Sequence, residues 1–133
     1  MAWHSDLHKR KPTGGRSRPW RGKRKFEQGG PPTQTKLGDP SLVIRRARGG
    51  GAKLRLLSSY MAQVSDRVAG ITRKAKILRV IKNPSNAEYD RRGVITKGAL
   101  IETELGTAKV TSRPGQHGVI NAILVEAGRK TQS

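Results

Sequence analysis

The chain has 133 residues, with 28 Lys and Arg against 9 Asp and Glu and a formal charge of +19 at pH 7. An excess of that size repels itself unless a polyanion neutralises it, so RNA, DNA or an anionic membrane surface is the expected partner. Cysteine is absent, which excludes disulfides, thiol catalysis and thiolate zinc sites, and no apolar run approaches the roughly 18 residues needed to span a bilayer.

Residues 1–34 hold nine basic residues and two acidic ones, Asp6 and Glu27, scattered among Gly and Pro. Apart from Trp3, Leu7, Trp20 and Phe26 there is little to bury, and no period of 2 or 3.6 is visible. Such a segment cannot offset its own chain entropy, so it is expected to be a basic arm, disordered when free. The first residues lack the apolar stretch of a secretory signal. Pro12, Gly14, Gly15, Pro19 and Gly22 would break the amphipathic helix of an organellar transit peptide.

From Thr35 onward, short runs of Val, Ile, Leu and Thr alternate with Gly, Pro and Asn, the pattern of several short strands. Leu42-Val43-Ile44 opens the first, extended by Arg45-Arg46-Ala47-Arg48, and Gly49-Gly50-Gly51 supplies a hairpin turn. In the returning strand Ala52, Leu54 and Leu56 alternate with Lys53 and Arg55, predicting one buried and one basic face. The stretch 74–81 reads as a strand whose alternation slips midway, which predicts a bulge.

Asn83-Pro84 ends that strand, and Ser85 with Glu88 three residues later reads as a capping box for a short helix over 85–91. Strands follow at 94–96, 99–105 and 107–112, with Ala99, Ile101, Thr103 and Leu105 inward and Glu102 and Glu104 outward. Pro114-Gly115 fits the centre of a type II turn. The apolar run 119–125 predicts a buried strand before a polar tail. A sheet of such short strands avoids exposed edges best by closing, so the expected fold is a small β-barrel.

Two basic groups carry the functional signal. In the arm, Lys9, Arg10, Lys11, Arg16, Arg18, Arg21, Lys23, Arg24 and Lys25 can neutralise phosphates. Gly14 and Gly15 let the backbone pass close to a sugar-phosphate chain, and Trp20 and Phe26 can stack on unpaired bases. On the domain, Arg45, Arg46, Arg48, Lys53, Arg55, Arg73, Lys74 and Lys76 predict a positive sheet face. An ordinary soluble surface would mix both signs, whereas residues 40–64 contain no carboxylate.

Other constellations read more plainly as structure. His4 and His8 have the spacing of a helical metal pair but no third ligand nearby. Glu102 and Glu104 would suggest paired acid–base carboxylates only with a nucleophile or pocket motif beside them; ion pairs with neighbouring bases account for them better. Gly49–Gly51 lacks the Lys-Ser/Thr of a phosphate-binding loop. Nothing assembles an active site, and no metal or cofactor is expected.

The residues also match a known family pattern. Lys9-Arg10-Lys11-Pro12-Thr13-Gly14-Gly15-Arg16 and Lys23-Arg24-Lys25-Phe26-Glu27 resemble the N-terminal arm of small-subunit ribosomal protein eight of the archaeal and eukaryotic type. The likeness runs through Thr35-Lys36-Leu37-Gly38, Arg46-Ala47-Arg48-Gly49-Gly50, and Thr72-Arg73-Lys74-Ala75-Lys76-Ile77. It continues over Asn83-Pro84-Ser85-Asn86 and Ile95-Thr96-Lys97-Gly98-Ala99-Leu100-Ile101-Glu102-Thr103, and closes with Val110-Thr111-Ser112-Arg113-Pro114-Gly115-Gln116. The compact middle and the Thr-Ser-Arg-Pro-Gly-Gln ending are similar to the archaeal branch. Trp20 and Phe26 stand where the pattern has tyrosines, Gly51 replaces an Asn, and Gln28 replaces a Leu.

The resemblance implies a structural constituent of the small ribosomal subunit, cytoplasmic and without catalysis, partnered by small-subunit rRNA and neighbouring ribosomal proteins. It implies a barrel body on the subunit's solvent side and an arm threaded into rRNA. Thr13, Lys36 and Arg113 join the expected RNA contacts. Three segments are expected: an arm over 1–34, a barrel domain over 35–127 and a tail over 128–133. Neither a membrane nor a small-molecule substrate is expected. The rival expectation from charge alone is an architectural protein that coats DNA.

Overall fold

The computed structural model describes residues 10–16, 22, 24–27 and 29–127. The chain divides into two compact units, Met1–Pro32 and Thr33–Ser133. The first contains a tight turn: the Lys11 N–H donates to the Gly15 carbonyl at 2.8 Å and the Gly14 N–H to the Lys11 carbonyl at 2.9 Å. A single 3-10 turn, Lys25–Glu27, follows.

In the second unit, β1 (Ser41–Arg46) and β2 (Ala52–Ser58) pair antiparallel as a two-stranded ribbon. A 3-10 turn over Arg48–Gly50 joins them, with Gly49 and Gly50 both at φ 80. The expected hairpin forms, although its first strand stops at Arg46. Strands β3 (Met61–Asp66), β4 (Ile71–Lys82), β5 (Leu100–Thr103), β6 (Gly106–Val110) and β7 (Asn121–Ala127) close into a barrel. Neighbours pair antiparallel except at the seam, where β3 meets β7 in parallel through Gln63, Val64 and Ser65 opposite Asn121, Ala122 and Ile123.

Alternation fills the interior with one side chain in two. The inner pairs are Ala62 with Ala75, Ile77 with Thr103, Ile101 with Ala108, and Val110 with Ala122. All eight are buried, and Leu56, Val64, Ile95, Ala99 and Ile120 join them in the core. Alanine recurs because a five-stranded barrel is too narrow for large residues from every strand. The slipped alternation in β4 is a register shift, first between Ile77 and Arg79 and again between Val80 and Lys82. The predicted bulge is there, and it explains why Leu78 and Arg79 both face solvent.

Several local expectations are corrected. The helix α1 is Ala87–Arg91, and its cap is Asn86, whose Oδ1 accepts from Glu88 N–H at 2.9 Å. Ser85 does not cap: its Oγ pairs with Thr96 Oγ1 at 3.2 Å, and its N–H, which a capping box would give to Glu88, donates to Asn83 Oδ1 at 3.0 Å. Asn83 itself is buried and fully engaged. Its Nδ2 donates to the Val94 carbonyl at 2.6 Å, and its Oδ1 also accepts from Thr96 Oγ1 at 3.0 Å. Around Val94–Thr96 there is no strand but a single bridge, Ile95 to Thr35.

Pro114-Gly115 does not form a type II turn. It opens a second short helix, α2 (Pro114–His117), where a proline at the first position sacrifices no hydrogen bond. The left-handed residue is Gly118, at φ 74, capping that helix. Finally, the run 119–125 is not uniformly buried. Ile120 and Ala122 point inward, while Val119 and Val125 are 42% and 58% exposed. The residues expected to form the polar tail, 128–133, lie outside the described residues.

Candidate nucleic-acid interface

The register of the ribbon sorts its side chains. Directly opposite residues share a face, so Val43, Arg45, Lys53 and Arg55 lie on one side and Leu42, Ile44, Leu54 and Leu56 on the other. The predicted basic face is therefore real in register, with Arg45 and Lys53 as a cross-strand pair of exposed cations. Arg46 pairs with Ala52 and falls on the apolar side. Of that side only Leu56 is buried; Leu54 is 38% and Ile44 67% exposed. The two-stranded ribbon stands outside the closed barrel, so its tip lacks a second layer to cover it.

The base of the ribbon is anchored. Thr35, buried, donates its Oγ1 to the Leu56 carbonyl at 2.7 Å, and Lys36 exchanges backbone bonds with Leu57 and Ser59. On the other side Leu54 bridges to His117 of α2. Arg113, exposed, precedes α2, and its N–H donates to His117 Nδ1 at 3.2 Å. Ser112 fixes the turn by donating its Oγ to the Val119 carbonyl and accepting from Asn121 N–H, both at 2.9 Å. This brings Arg113 and Lys36 to the segments that hold the ribbon.

Strand β4 divides its cations. Lys74 and Lys76 point outward, opposite Gln63 and Met61, whereas Arg73 has the parity of the inward Ala75 and Ile77. It is exposed because it stands near the end of the strand. Lys74 lines a groove of about 400 Å³ with Leu42, Leu56, Met61 and Val119. The groove takes the ribbon's apolar side, so Lys74 and the Arg45–Lys53–Arg55 face belong to different patches. The single positive sheet face expected from the sequence is thus divided in two.

In the first unit, Arg10, Lys11, Thr13, Gly14, Gly15, Arg16, Arg24, Lys25 and Phe26 are exposed, Phe26 at 78%. Lys9, Arg18, Trp20, Arg21 and Lys23 lie outside the described residues, as do His4 and His8, and the side chain of Arg48 is not described.

From residue 40 to residue 87 the sequence holds eleven Lys and Arg and one carboxylate, Asp66. That carboxylate serves the β3–β4 turn, its Oδ1 accepting from Val68 N–H at 2.8 Å and Ala69 N–H at 3.3 Å. Strands β1 to β4 therefore carry a large excess of positive over negative residues. The family model for ribosomal protein S8e matches residues 4–125. The chain belongs to the ribosomal protein S8e family.

Relatives named small ribosomal subunit protein eS8 agree along most of their length. That of Sulfurisphaera tokodaii is 53% identical over 118 residues, covering 88% of this chain and 92% of the relative. That of Sulfolobus acidocaldarius is 49% identical over 126 residues, covering 94% and 98%. That of Methanospirillum hungatei is 50% identical over 117 residues, covering 88% and 94%.

Sequence reasoning does not single out several further cations of this S8e chain. Lys82, Arg92, Lys97 and Lys109 are exposed and make no ion pair among the described residues. Nothing in their local sequence separates them from solvated surface charge. Two others are already paired, Arg79 with Glu102 and Arg91 with Glu88. Glu102 is thus an ion-pair partner, and Glu104, exposed, sits in the β5–β6 turn. Among the described residues no group of His, Asp and Glu is placed to hold a metal, and no helix is long and apolar enough to cross a membrane.

Proposed function

We propose that this protein is a structural constituent of the small ribosomal subunit that binds and stabilises small-subunit rRNA in the cytoplasm, with neighbouring ribosomal proteins as its other partners. It is not an enzyme. The observation that carries this is the match to the S8e family over residues 4–125; the excess of basic residues supplies the physical mechanism.

Phosphate neutralisation releases condensed counterions, which gives affinity without base readout. The ribbon face, with Arg45, Lys53 and Arg55, and the outward cations of β4 present rigid charges held by strand register. The segment over 1–34 carries a further nine cations for two carboxylates and inserts between RNA helices. Arg24, Lys25 and Lys36 extend this contact set.

Competition binding tests the proposal. Small-subunit rRNA should outcompete duplex DNA of equal phosphate concentration at physiological salt, with a steep inverse dependence on salt. Equal affinity for both would favour an architectural DNA-coating role instead.

A further inference from the structure

We infer that the turn over residues 10–16 is a preformed clamp in which Arg10 and Arg16 together grip one phosphate group of an RNA strand. This deepens the proposed function and rests on it, by naming a ligand group and the two side chains that share it.

Arg10 and Arg16 stand directly opposite each other in an antiparallel bridge. The Lys11 N–H to Gly15 carbonyl bond, 2.8 Å, lies just inside them, and the two arginines exchange no backbone bond with each other. Antiparallel pairs of that kind stand closest, about 4.5 Å between Cα atoms, with their side chains brought together. Like charges so placed repel and weaken the pairing. Among the described residues no carboxylate forms an ion pair with either, and both are exposed.

The turn forms from its own local bonds despite that repulsion. Pro12 presets its dihedral, Gly14 takes φ 81, and the Gly14 N–H closes on the Lys11 carbonyl at 2.9 Å. Arg10 is also aimed, since its Nη1 donates to the Gly14 carbonyl at 2.9 Å. One of the five guanidinium N–H groups is spent there, and the rest remain for a ligand. An anion between the two guanidiniums converts the repulsion into two attractions. A phosphodiester fits, because its two free oxygens can each accept from a guanidinium fork. The glycine side is open as well: a Cβ at Gly14 would meet nothing within 4 Å, and one at Gly15 only Thr13 Oγ1 at 3.7 Å. A nucleic-acid backbone can approach the turn there.

The test uses the full chain, small-subunit rRNA and a salt titration, with Arg10→Gln, Arg16→Gln, the double variant, and Gly14→Ala. If both arginines share one phosphate, each single change weakens binding about tenfold and the double adds no more than about twofold. The double should lower the slope of log affinity against log salt by about 0.7–0.9, one phosphate equivalent. Gly14→Ala keeps both charges but strains the turn, and should weaken binding about fivefold.

Additive losses near a hundredfold, with a slope change of two equivalents, would show two independent contacts and overturn the clamp. Unchanged binding in Gly14→Ala would overturn the preformed geometry. If all four variants bind like the parent, which itself binds rRNA steeply, the clamp fails and the ribosomal function stands. A parent that shows no salt-dependent preference for rRNA would instead sink the function on which the clamp rests. Inorganic phosphate added to the free protein separates the sources. The clamp predicts only weak shifts of the arginine Nε–H resonances, whereas saturation below about a millimolar would assign the site to free phosphate and overturn the RNA assignment.

Discussion

A Cβ atom at Gly118 would stand 2.7 Å from the Cβ of Leu54, so the end of α2 and the second strand of the ribbon touch through a position only glycine can occupy. Leu42 Cδ1 crowds the same point at 3.1 Å, and the backbone there has φ 74. Steric closeness and left-handed geometry coincide at the place where the basic ribbon is held to the barrel.

Replacing Gly118 by alanine should therefore destabilise the second unit by about 2–3 kcal/mol, through overpacking and strain together. Urea unfolding followed by circular dichroism checks this. Gly70→Ala provides the contrast, since φ 65 is positive there too but a Cβ would meet nothing within 4 Å. It should lose only the strain, about 1 kcal/mol.

Asn83 is the second structural prediction. Its side chain satisfies the Val94 carbonyl, the Ser85 N–H and the Thr96 hydroxyl. Asn83→Ala leaves those groups to find other partners and should cost roughly 2–4 kcal/mol. Asn86→Ala removes the cap of α1 and should cost about 1 kcal/mol. Ser85→Ala, on the exposed hydroxyl bonded to Thr96 Oγ1 at 3.2 Å, should stay within about 0.5 kcal/mol. Denaturation midpoints in that order would confirm which residue organises the loop; equal losses at Ser85 and Asn86 would revive the capping box at Ser85.

These details mark where sequence reasoning stops. The barrel, the ribbon hairpin, its basic face and the β4 bulge are legible because each rests on alternation or on glycine, which act within a few residues. Strand β3 escapes notice because its inward residues, Ala62 and Val64, give only a faint alternation against Met61, Gln63 and Ser65. The last strand reads as wholly buried because Val119 and Val125 are apolar on the outside too. The cap moves by one residue because contacts from across the loop occupy Ser85, its hydroxyl bonding Thr96 Oγ1 and its N–H bonding Asn83 Oδ1. For the candidate interface, charge is legible but grouping is not. Only the register separates Arg46 from Arg45, and Arg73 from Lys74.

For RNA binding, changing Arg45, Lys53 and Arg55 together to glutamine should weaken rRNA affinity and lower the salt slope by about 0.7–0.9 for each phosphate no longer neutralised. The fold should be unaffected, because Arg45 and Lys53 are exposed and Arg55 is only half-buried. Deleting residues 1–32 should flatten the slope further while the second unit keeps its unfolding midpoint. Filter binding at several salt concentrations checks both, and an unchanged slope in either variant would remove that segment from the interface.

Glu102 supplies the opposite control. Its ion pair with Arg79 is solvent-exposed, the two side chains being 36% and 73% accessible respectively. Glu102→Gln should change stability by less than about 1 kcal/mol. It should leave rRNA affinity equal or slightly higher, since it removes a negative charge and frees Arg79. Weaker binding in the same titration would mean that the carboxylate orients a group that touches the RNA.

The most direct measurement is a sucrose-gradient profile of the native protein from gently lysed cells, run with and without RNase. The account predicts migration with the small ribosomal subunit, resistance to moderate salt, and collapse to light fractions after RNase. Migration as free protein, or with material released by DNase and not by RNase, would contradict it.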